Sequence, residues 1–304
     1  MAFPSFPNPF RTEGLWLKGN LHIHTTNSDG ALNPYQMAFL YRANGYNFIA
    51  ITDHDKLTDV EGLAERFNDF LVLPGEEIGT GRSEVGTKYH LVAINLREEI
   101  GPEGGPQGVI EEVLKQGGEV IVAHPYWSSL TVNDLLGLDG YLGLEIFNST
   151  CLLSIGKGYS TVHWDDLMVR GRFTFGFAVD DAHWHFNPHR PVDTCYSWIM
   201  VKASEFTVES VMDGLKRGLF YSSNGPSILD VDVSDDSVYV RSSPARAITF
   251  VANSSIGERF TASDHPITEA TYRVRGKETY LRIEVEDWRG RTAWTNPIIF
   301  QRDS

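Results

Sequence analysis

The stretch NPYQMAFLYRANGYNFIAIT, residues 33–52, contains the unit whose repetition decides the fold. Asn33 is suited to cap a helix N-terminus, Pro34 fits the first helical position, and Gly45 marks the helix end. The apolar run at 47–52 then has the length and composition of a buried strand. The stretch therefore predicts one helix followed directly by one buried strand.

The same alternation continues through the first 225 residues. Helical spacing with a terminal glycine recurs at 108–118 and 160–171. The apolar runs are NFIAIT (47–52), FLVLP (70–74), YHLVAINL (89–96), EVIVA (119–123), YLGLEIF (141–147) and FTFGFAV (173–179). Such dense alternation of strands and helices predicts an α/β fold with a parallel sheet, and its length favours a barrel.

The pattern changes after LFYSSNGPS (219–227), where apolar and polar residues begin to alternate in short runs separated by Gly, Asp, Ser and Pro. This alternation is typical of antiparallel strands with one buried face. We therefore expect a barrel domain over 1–225 and a small antiparallel β-sandwich over 226–304. The Pro and Gly of the junction mark the boundary.

Composition limits the kinds of partner. The formal net charge of −14 argues against binding of long duplex nucleic acid, because phosphate-tracking surfaces need clustered Lys and Arg. No signal segment and no apolar stretch of about 18 residues is evident, so we expect a cytoplasmic protein without membrane contact. The oligomeric state stays open. Cys151 and Cys195 are too few for a thiolate metal cluster, so any bound metal must use His and carboxylates.

Residues of the metal-ligand type occur where the apolar runs end. His22 and His24 in LHIHTTNSDG (21–30) are two residues apart, so in a strand both face one side. Further such residues lie at or just beyond later runs: His54, Glu77, His90, His124, Asp181 and His183. In a parallel barrel the carboxyl ends of the strands converge on one mouth, where catalytic side chains gather. The pattern predicts a metal site there.

The full set of motifs resembles the polymerase and histidinol phosphatase (PHP) family of metal-dependent phosphoesterases. The matching stretches are HIHTTNSDG, TDHD, GEEIG, the histidine at 90, AHP and DDAH, which follow the family's order over residues 20–184. The terminal module and the stretch EIFNS look like the branch of this family that includes carbamate hydrolases.

The resemblance implies a distorted (β/α)7 TIM-like barrel with two to three divalent ions, commonly Zn, Mn or Fe. It implies that Glu77 bridges two ions and that Glu77, Asp181 and His183 are catalytic. The implied ligands are His22, His24, Glu77 and Asp181 for the first ion, Glu77, His90 and His124 for the second, and Asp29, His54 and His183 for the third. Imidazole and carboxylate ligands suit these metals.

Several acidic neighbours have alternative interpretations. Glu76 should face away from Glu77 if the strand continues. Asp53 and Asp55 either orient His54 or form helix caps and loop contacts, which we favour for Asp55. Glu145, and Asn148 just beyond it, have three possible roles: they orient a metal ligand, contact the substrate, or have a purely structural role.

The loop that follows the last ligand, HWHFNPHRP (183–191), is basic and aromatic in an acidic chain. Arg190 is the strongest candidate for binding an anionic substrate, because a guanidinium can contact two phosphate oxygens at once. His189 and Lys88 are further candidates. A salt bridge within the loop is the alternative for Arg190.

The resulting hypothesis is a phosphoesterase in which metal-bound hydroxide attacks a small phosphate ester such as a nucleotide, a sugar phosphate or a short oligonucleotide end. Asp180 or a loop histidine is a candidate general acid. The alternatives are a carbamate or ester hydrolase, and a non-catalytic binding protein that metal stabilises. In the third case the β-sandwich would bind a glycan or another chain. We expect the module's Trp288 and Trp294 to pack in a core or between domains rather than to form a glycan-binding surface.

Overall fold

A computed structural model describes residues 2–64 and 66–302. The helices are α1 (Pro34–Ala43), α2 (Glu61–Ala64), α3 (Gly105–Lys115), α4 (Val132–Leu136), α5 (Ser149–Ile155), α6 (Thr161–Val169) and α7 (Val208–Lys216). The strands of the first part are β1 (Ala2–Ser5), β2 (Leu15–Asn20), β3 (Phe48–Ile51), β4 (Leu71–Thr80), β5 (Tyr89–Ile94), β6 (Glu119–Val122), β7 (Gly143–Asn148), β8 (Phe175–Val179), β9 (Trp198–Ala203) and β10 (Phe220–Ser223). The later strands are β11 (Ile228–Val233), β12 (Ser237–Ala245), β13 (Ala247–Ala252), β14 (Gly257–Thr261), β15 (Ile267–Arg273), β16 (Tyr280–Glu286), β17 (Thr292–Thr295) and β18 (Ile298–Arg302).

The unit at 33–52 forms as the sequence predicts. Asn33 caps α1 with a capping box, because its side chain accepts from the Gln36 N–H while the Gln36 side chain accepts from the Asn33 N–H. Gly45 follows the helix with a φ of 75°, a conformation that glycine adopts without strain. The next strand, β3, is fully buried.

Apart from β1, the strands of the first part follow the order β10-β9-β2-β3-β4-β5-β6-β7-β8. The sets β2-β3-β4 and β6-β7-β8 are parallel, whereas β5 is antiparallel to both neighbours and β9 is antiparallel to β2. The expectation of a parallel sheet is therefore wrong at β5 and β9. A short loop at 81–88 joins β4 to β5, and without a crossover helix the chain can only return antiparallel. The expectation of seven β/α units in the barrel stays a prediction.

The two ends of this strand series meet at one mouth. Ile23, just beyond β2, forms a parallel bridge with Ala182, just beyond β8, and the His24 N–H donates to the Ala182 carbonyl at 2.9 Å. Beneath the mouth, side chains from successive strands form one buried cluster, which includes Leu17, Phe48, Val92, Ile121 and Phe177. The bridge places the residues after β2 beside those after β8.

The C-terminal part has two β layers. The antiparallel sheet β11-β12-β15 packs on the strands β13, β16 and β18, so that Val231, Val240, Phe250 and Ile283 share one buried cluster. The larger sheet is continuous with the barrel strands through the β10-β17 pair. The N-terminal strand β1 pairs with β18. The domain boundary at 225/226 stays a prediction.

The two tryptophans of this part differ from each other. Trp294 is buried and stacks near Phe147 of the barrel part, as expected for packing between the two parts. Trp288 is 56% exposed, so the expectation that it packs in a core is wrong. It lies in the tight turn between β16 and β17, where no element covers it. Among the helices that the structure describes, none is long and apolar enough to cross a membrane.

A buried arginine joins helix α6 to strand β16. Arg282 donates to both carboxylate oxygens of Asp165, from Nε at 2.8 Å and from Nη2 at 2.7 Å, and its Nη1 donates to Glu284 at 2.5 Å. Its guanidinium also lies over the Trp164 ring. The fork of the guanidinium thus satisfies two carboxylates that are themselves mostly buried.

We expect Arg282→Ala to lower the free energy of unfolding by roughly 3 kcal/mol, the low end for breaking a buried ion pair, because Asp165 and Glu284 keep some solvent contact. Urea denaturation followed by circular dichroism measures the change. Arg246→Ala is the matched control, since it removes a half-exposed pair with Glu286 and should cost about 1 kcal/mol or less. Equal losses in the two variants would contradict the role of Arg282.

Candidate metal centre

His22 and His24 face the same side at the barrel mouth, as their spacing predicts. Their Nε2 atoms are 3.0 Å apart, while Ile23 between them packs in a separate apolar cluster. Both imidazoles are completely buried. The extended backbone after β2, held by the bridge to Ala182, produces this alternation.

Glu77 lies at the centre of the histidines. Its β4 strand projects the buried carboxylate into the mouth, while the backbone at 77 pairs with His54. Its Oε2 lies 3.0 Å from His22 Nε2, 3.1 Å from His24 Nε2 and 3.1 Å from His54 Nδ1. Its Oε1 lies 2.8 Å from His90 Nδ1 and 3.2 Å from His124 Nε2. Five imidazoles therefore surround one carboxylate.

Asp181, just beyond β8, approaches the same pair of histidines from the neighbouring segment. Its Oδ1 lies 3.3 Å from His22 Nε2 and 3.1 Å from His24 Nε2. Asp181 adopts a φ of 54°, a left-handed conformation that costs free energy for a residue with a side chain. His124, at the end of β6, has a φ of 28° and shares this strain. Strained backbone thus occurs at two residues that point into the mouth.

A second group lies nearer to solvent. His183 Nε2 is 3.4 Å from Asp29 Oδ1, and His54 Nε2 is 3.8 Å from Asp29 Oδ2. His24 Nδ1 completes the group at 3.7 Å from Asp29 Oδ1. The Asp29 side chain is half exposed, in contrast to Glu77 and Asp181.

The structure brings together three groups that could each hold a metal ion. They are His22, His24, Glu77 and Asp181; His24, Asp29, His54 and His183; and His54, Glu77 and His90. The first equals the set that the family resemblance implies for the first ion. The second contains the implied third set and adds His24. The last has His54 where His124 was expected, although His124 Nε2 also contacts Glu77.

The residues fit bound divalent cations. Ligand atoms that each lie about 2.1 Å from one ion are separated from one another by about 3.0 to 3.4 Å. The first group has separations of 3.0 to 3.3 Å. Glu77 Oε2 and His24 Nδ1 are buried without a hydrogen bond, although buried polar atoms are normally satisfied. A cation in the first group would satisfy Glu77 Oε2, and a cation in the second group would satisfy His24 Nδ1.

Electrostatics favours the ionised carboxylates. Burial alone raises the pKa of Glu77, but the charge of His22 and the close contacts of the His124, His22 and His24 imidazoles hold that pKa well below its usual value. Burial opposes ionisation of Asp181 too, and His22, His24 and His183 again hold its pKa well below the usual range. Burial lowers the pKa of His183, but Asp29 and Asp181 raise it to about 9. The site thus presents anionic oxygens to a cation.

Glu145 supports the centre from behind. Its Oε1 lies 2.6 Å from His22 Nδ1, and its Oε2 accepts from the His124 N–H at 2.8 Å. The Asn148 amide donates to Glu145 Oε2 at 2.9 Å and to Asp181 Oδ2 at 3.1 Å. A carboxylate on the far nitrogen of a ligand histidine fixes its tautomer and ring orientation. Of the roles considered for Glu145, orientation of the ligands is the one that its contacts favour.

The acidic residues beside the other ligands hold the loops. Asp53 accepts from the Thr25 N–H at 2.6 Å and from the Ser28 and Thr58 hydroxyls, which fixes the turn that leads to Asp29. Asp55 accepts from the Gly79 N–H, in agreement with the loop contact favoured for it. Glu76 points away from Glu77, as the strand alternation predicts, and accepts from the Ile100 N–H.

Asp180 points away from the mouth. Its Oδ2 accepts from the Tyr41 hydroxyl at 2.7 Å, and its Oδ1 accepts from the Ser149 hydroxyl and the Ser197 N–H, each at 2.7 Å. Burial raises the pKa of Asp180 to about 6 despite these bonds. Because Asp180 is buried and its oxygens are occupied, the contacts argue against its role as general acid.

The metal centre opens into a cleft of about 260 Å³. Its lining combines ligand candidates with Trp127, Thr150, Cys151 and Ser154. Sequence reasoning did not select these four residues. Trp127 stands three residues after His124 in a loop beyond a strand, a position that could have suggested a wall of the site. No spacing signal marks the other three, which helix α5 and its first turn bring to the cleft.

The predicted substrate-binding residues lie at different distances from this cleft. Arg190 lines an adjoining pocket that shares Thr150 with the cleft, and among the described residues it forms no salt bridge. Asp193, which the sequence reasoning also missed, anchors the loop by accepting from the His183 N–H and the Thr150 hydroxyl. Lys88 and His189 are exposed and line neither space. Their role stays a prediction.

Comparisons with known proteins give relatives of limited coverage. No family model matches the chain. An uncharacterized protein of Methanocaldococcus jannaschii is 28% identical over 150 residues, which are 44% of this chain and 82% of that protein. A 5'-3' exoribonuclease of Haemophilus influenzae is 32% identical over 81 residues, 26% of this chain and 29% of the enzyme.

A solved structure shares the fold over nearly the whole chain. It is a two-domain protein from Bacteroides vulgatus containing a predicted PHP-like metal-dependent phosphoesterase. The match has a TM-score of 0.50 and 17% identity, and it covers 90% of this chain and 91% of the other. The chain therefore shares its fold with that protein.

Proposed function

We propose that this protein is a metal-dependent phosphoesterase of the PHP type that hydrolyses a small phosphate ester. The observation that carries the proposal is the convergence of five imidazoles on the buried Glu77 carboxylate, beside a cleft open to substrate. The shared two-domain fold supports the same activity. Carboxylate and imidazole ligands suit two to three ions of Zn, Mn or Fe.

The chain's own residues have distinct roles in this proposal. Bound divalent ions supply two kinds of chemistry, activation of water and neutralisation of charge on phosphoryl oxygens. Glu77 would be a ligand at both inner positions, and Asp181 would complete the position that His22 and His24 share. Asp29, His54 and His183 form the outer position, which faces the cleft. Glu145 keeps the His22 ring oriented toward Glu77.

The size and charge of the site favour small anionic substrates. The cleft of about 260 Å³ lies just below the usual range of small-molecule sites, which favours a ligand no larger than a nucleotide or a sugar phosphate. A net charge of −14 repels long polyanions, so the ends of short oligonucleotides are the largest nucleic-acid substrates that we propose. The match to the exoribonuclease covers under a third of that enzyme, and its substrate is not carried over.

We expect Glu77→Gln to lower kcat/KM for nitrophenyl phosphate by more than about 100-fold, because a neutral amide cannot bridge two cations as a carboxylate does. Release of nitrophenolate by manganese-loaded protein measures the loss. Glu76→Gln is the matched control: it changes the adjacent residue, which faces the other side of β4, and keeps the acceptor for the Ile100 N–H. Similar losses in both variants would argue for a folding defect.

The same assay separates the chemical alternatives. A nitrophenyl phosphate monoester, a diester and a nitrophenyl methylcarbamate are offered to the same protein. Turnover of a phosphate ester that depends on Glu77 supports the proposal, and the monoester-to-diester ratio distinguishes a phosphatase from a nuclease-like enzyme. Turnover of the carbamate alone would move the protein to carbamate or ester hydrolysis. Bound metal without turnover of any ester would favour a binding protein.

Glu145→Gln should weaken metal binding by about 10- to 100-fold, the range for a lost carboxylate behind a ligand histidine. The amide no longer provides the anionic acceptor for His22 Nδ1. Competition with a chelator, read as metal retained per chain, measures the affinity. Glu111→Gln on the exposed face of α3 should behave like the wild type. Unchanged metal retention in Glu145→Gln would show that Glu145 does not orient the centre.

Arg190→Ala should raise KM for a phosphate monoester several-fold and leave kcat within about twofold, because Arg190 lies in a pocket beside the cleft and would contribute equally to binding of the substrate and of the transition state. Initial-rate kinetics over a range of substrate concentration separates the two parameters. Arg97→Ala removes an arginine from a different surface and serves as the control. A fall in kcat at unchanged KM would place Arg190 in another role.

A further inference from the structure

A second cleft lies at the junction of the barrel strands and the C-terminal sheet. This junction cleft is lined by Cys195, Tyr196, Trp198, Asn224, Arg289 and Arg291 and has a volume of about 340 Å³. None of these residues lines the cleft of the metal centre. Its volume lies within the range of small-molecule sites. The proposed phosphoesterase chemistry does not use it.

Two arginines line this cleft in a chain of net charge −14, and one of them, Arg291, is paired with Asp287. Arg289 is exposed and forms no salt bridge among the residues that the structure describes. Arg291 is held by Asp287, which accepts from its Nε at 2.8 Å. Its backbone neighbour Thr292 donates to the Asn224 side chain, so the wall that carries Arg291 is tied to the end of β10. One guanidinium is therefore fixed in place and the other is free to bind an anion.

The opposite wall is aromatic. Tyr196 and Trp198 lie on the segment that leads into β9, and the Tyr196 N–H donates to the buried Asp180. The Lys18 ammonium lies 4.3 Å from the centre of the Trp198 ring and 3.9 Å from that of Tyr46. Stacking on this ammonium fixes the indole and adds a third positive charge beside the cleft. The wall thus offers a rigid aromatic surface to a ligand.

We propose that the junction cleft binds a small organic anion that carries a planar ring, the chemistry of a nucleoside monophosphate. Arg289 and Arg291 contact the anionic group, since guanidinium groups match the oxygens of phosphate and carboxylate. The ring lies against Trp198 and Tyr196, where stacking on aromatic side chains is favourable. The inference is independent of the reaction at the metal centre.

Cys195 provides a local measure of occupancy, because it lines the junction cleft and is partly exposed, whereas Cys151 is buried. The experiment measures the rate of Cys195 alkylation by N-ethylmaleimide on the full chain, read by mass spectrometry of the peptide. The probe is a non-hydrolysable phosphonate analogue of AMP, so turnover at the metal centre does not consume it. Adenosine and inorganic phosphate are the separate arms for ring and anion.

We expect the analogue to slow alkylation of Cys195 at least fivefold at saturation, with adenosine or phosphate alone protecting much less. Arg289→Ala should raise the concentration needed for half-protection about tenfold, and Arg289→Lys should give an intermediate value. Arg273→Ala, which removes an exposed arginine of β15, should match the wild type.

Two results would overturn the inference as a whole, and a third would overturn one part of it. Absence of protection by the analogue would show that the cleft does not bind this class of ligand. Equal protection in the wild type and Arg289→Ala would show that the anion is not bound there. Protection by phosphate as strong as that by the analogue would overturn the part assigned to the ring. These outcomes do not depend on whether nitrophenyl phosphate is hydrolysed, so failure of the proposed function is recorded separately.

Discussion

The contact on which the site depends is that between the Glu77 carboxylate and the imidazoles around it. A completely buried anion is costly unless opposite charge or hydrogen bonds compensate it. Here the two oxygens face five imidazoles supplied by the segments after β2 and β3, by β5, and by the end of β6. Each contributing segment must place its histidine at the same level of the barrel. The sheet order, including the reversed β5, satisfies that requirement.

Buried carboxylates outside the metal groups set the positions of the ligands. Glu145 holds the His22 ring and the His124 backbone, Asp53 holds the turn before Asp29, and Asp180 holds the segment at Ser197. Each accepts several N–H or O–H groups, the condition under which a buried carboxylate is tolerated. The strained backbone at Asp181 directly follows Asp180, and the Asp181 side chain accepts from Asn148, which also donates to Glu145. The centre is therefore fixed by polar contacts as well as by apolar packing.

Much of this arrangement could be predicted from residue order. The strand-end positions of His22, His24, Glu77 and Asp181 follow from the alternation of apolar runs and polar residues, and the helix at Pro34 follows from its caps. The antiparallel direction of β5 could not be predicted from its apolar run, because such a run has the same composition in either direction. Only the short loop after β4 decides the direction. Thr150 and Ser154 reach the site on the short helix α5, and Asp193 reaches it on a loop, and no spacing in the sequence marks any of the three. The exposure of Trp288 likewise depends on what packs against one turn.

The hydrogen bonds between β10 and β17 have a consequence for how the two parts can vary. A barrel strand at the end of a sheet leaves its N–H and C=O groups unpaired, and such an edge recruits other chains. Here β17 covers β10, and Trp294 beside it packs on Phe147. The C-terminal sheet is thus an edge cap for the barrel as well as a separate layer. A shorter relative that lacks it would need another way to protect β10, such as a charged edge or a partner strand.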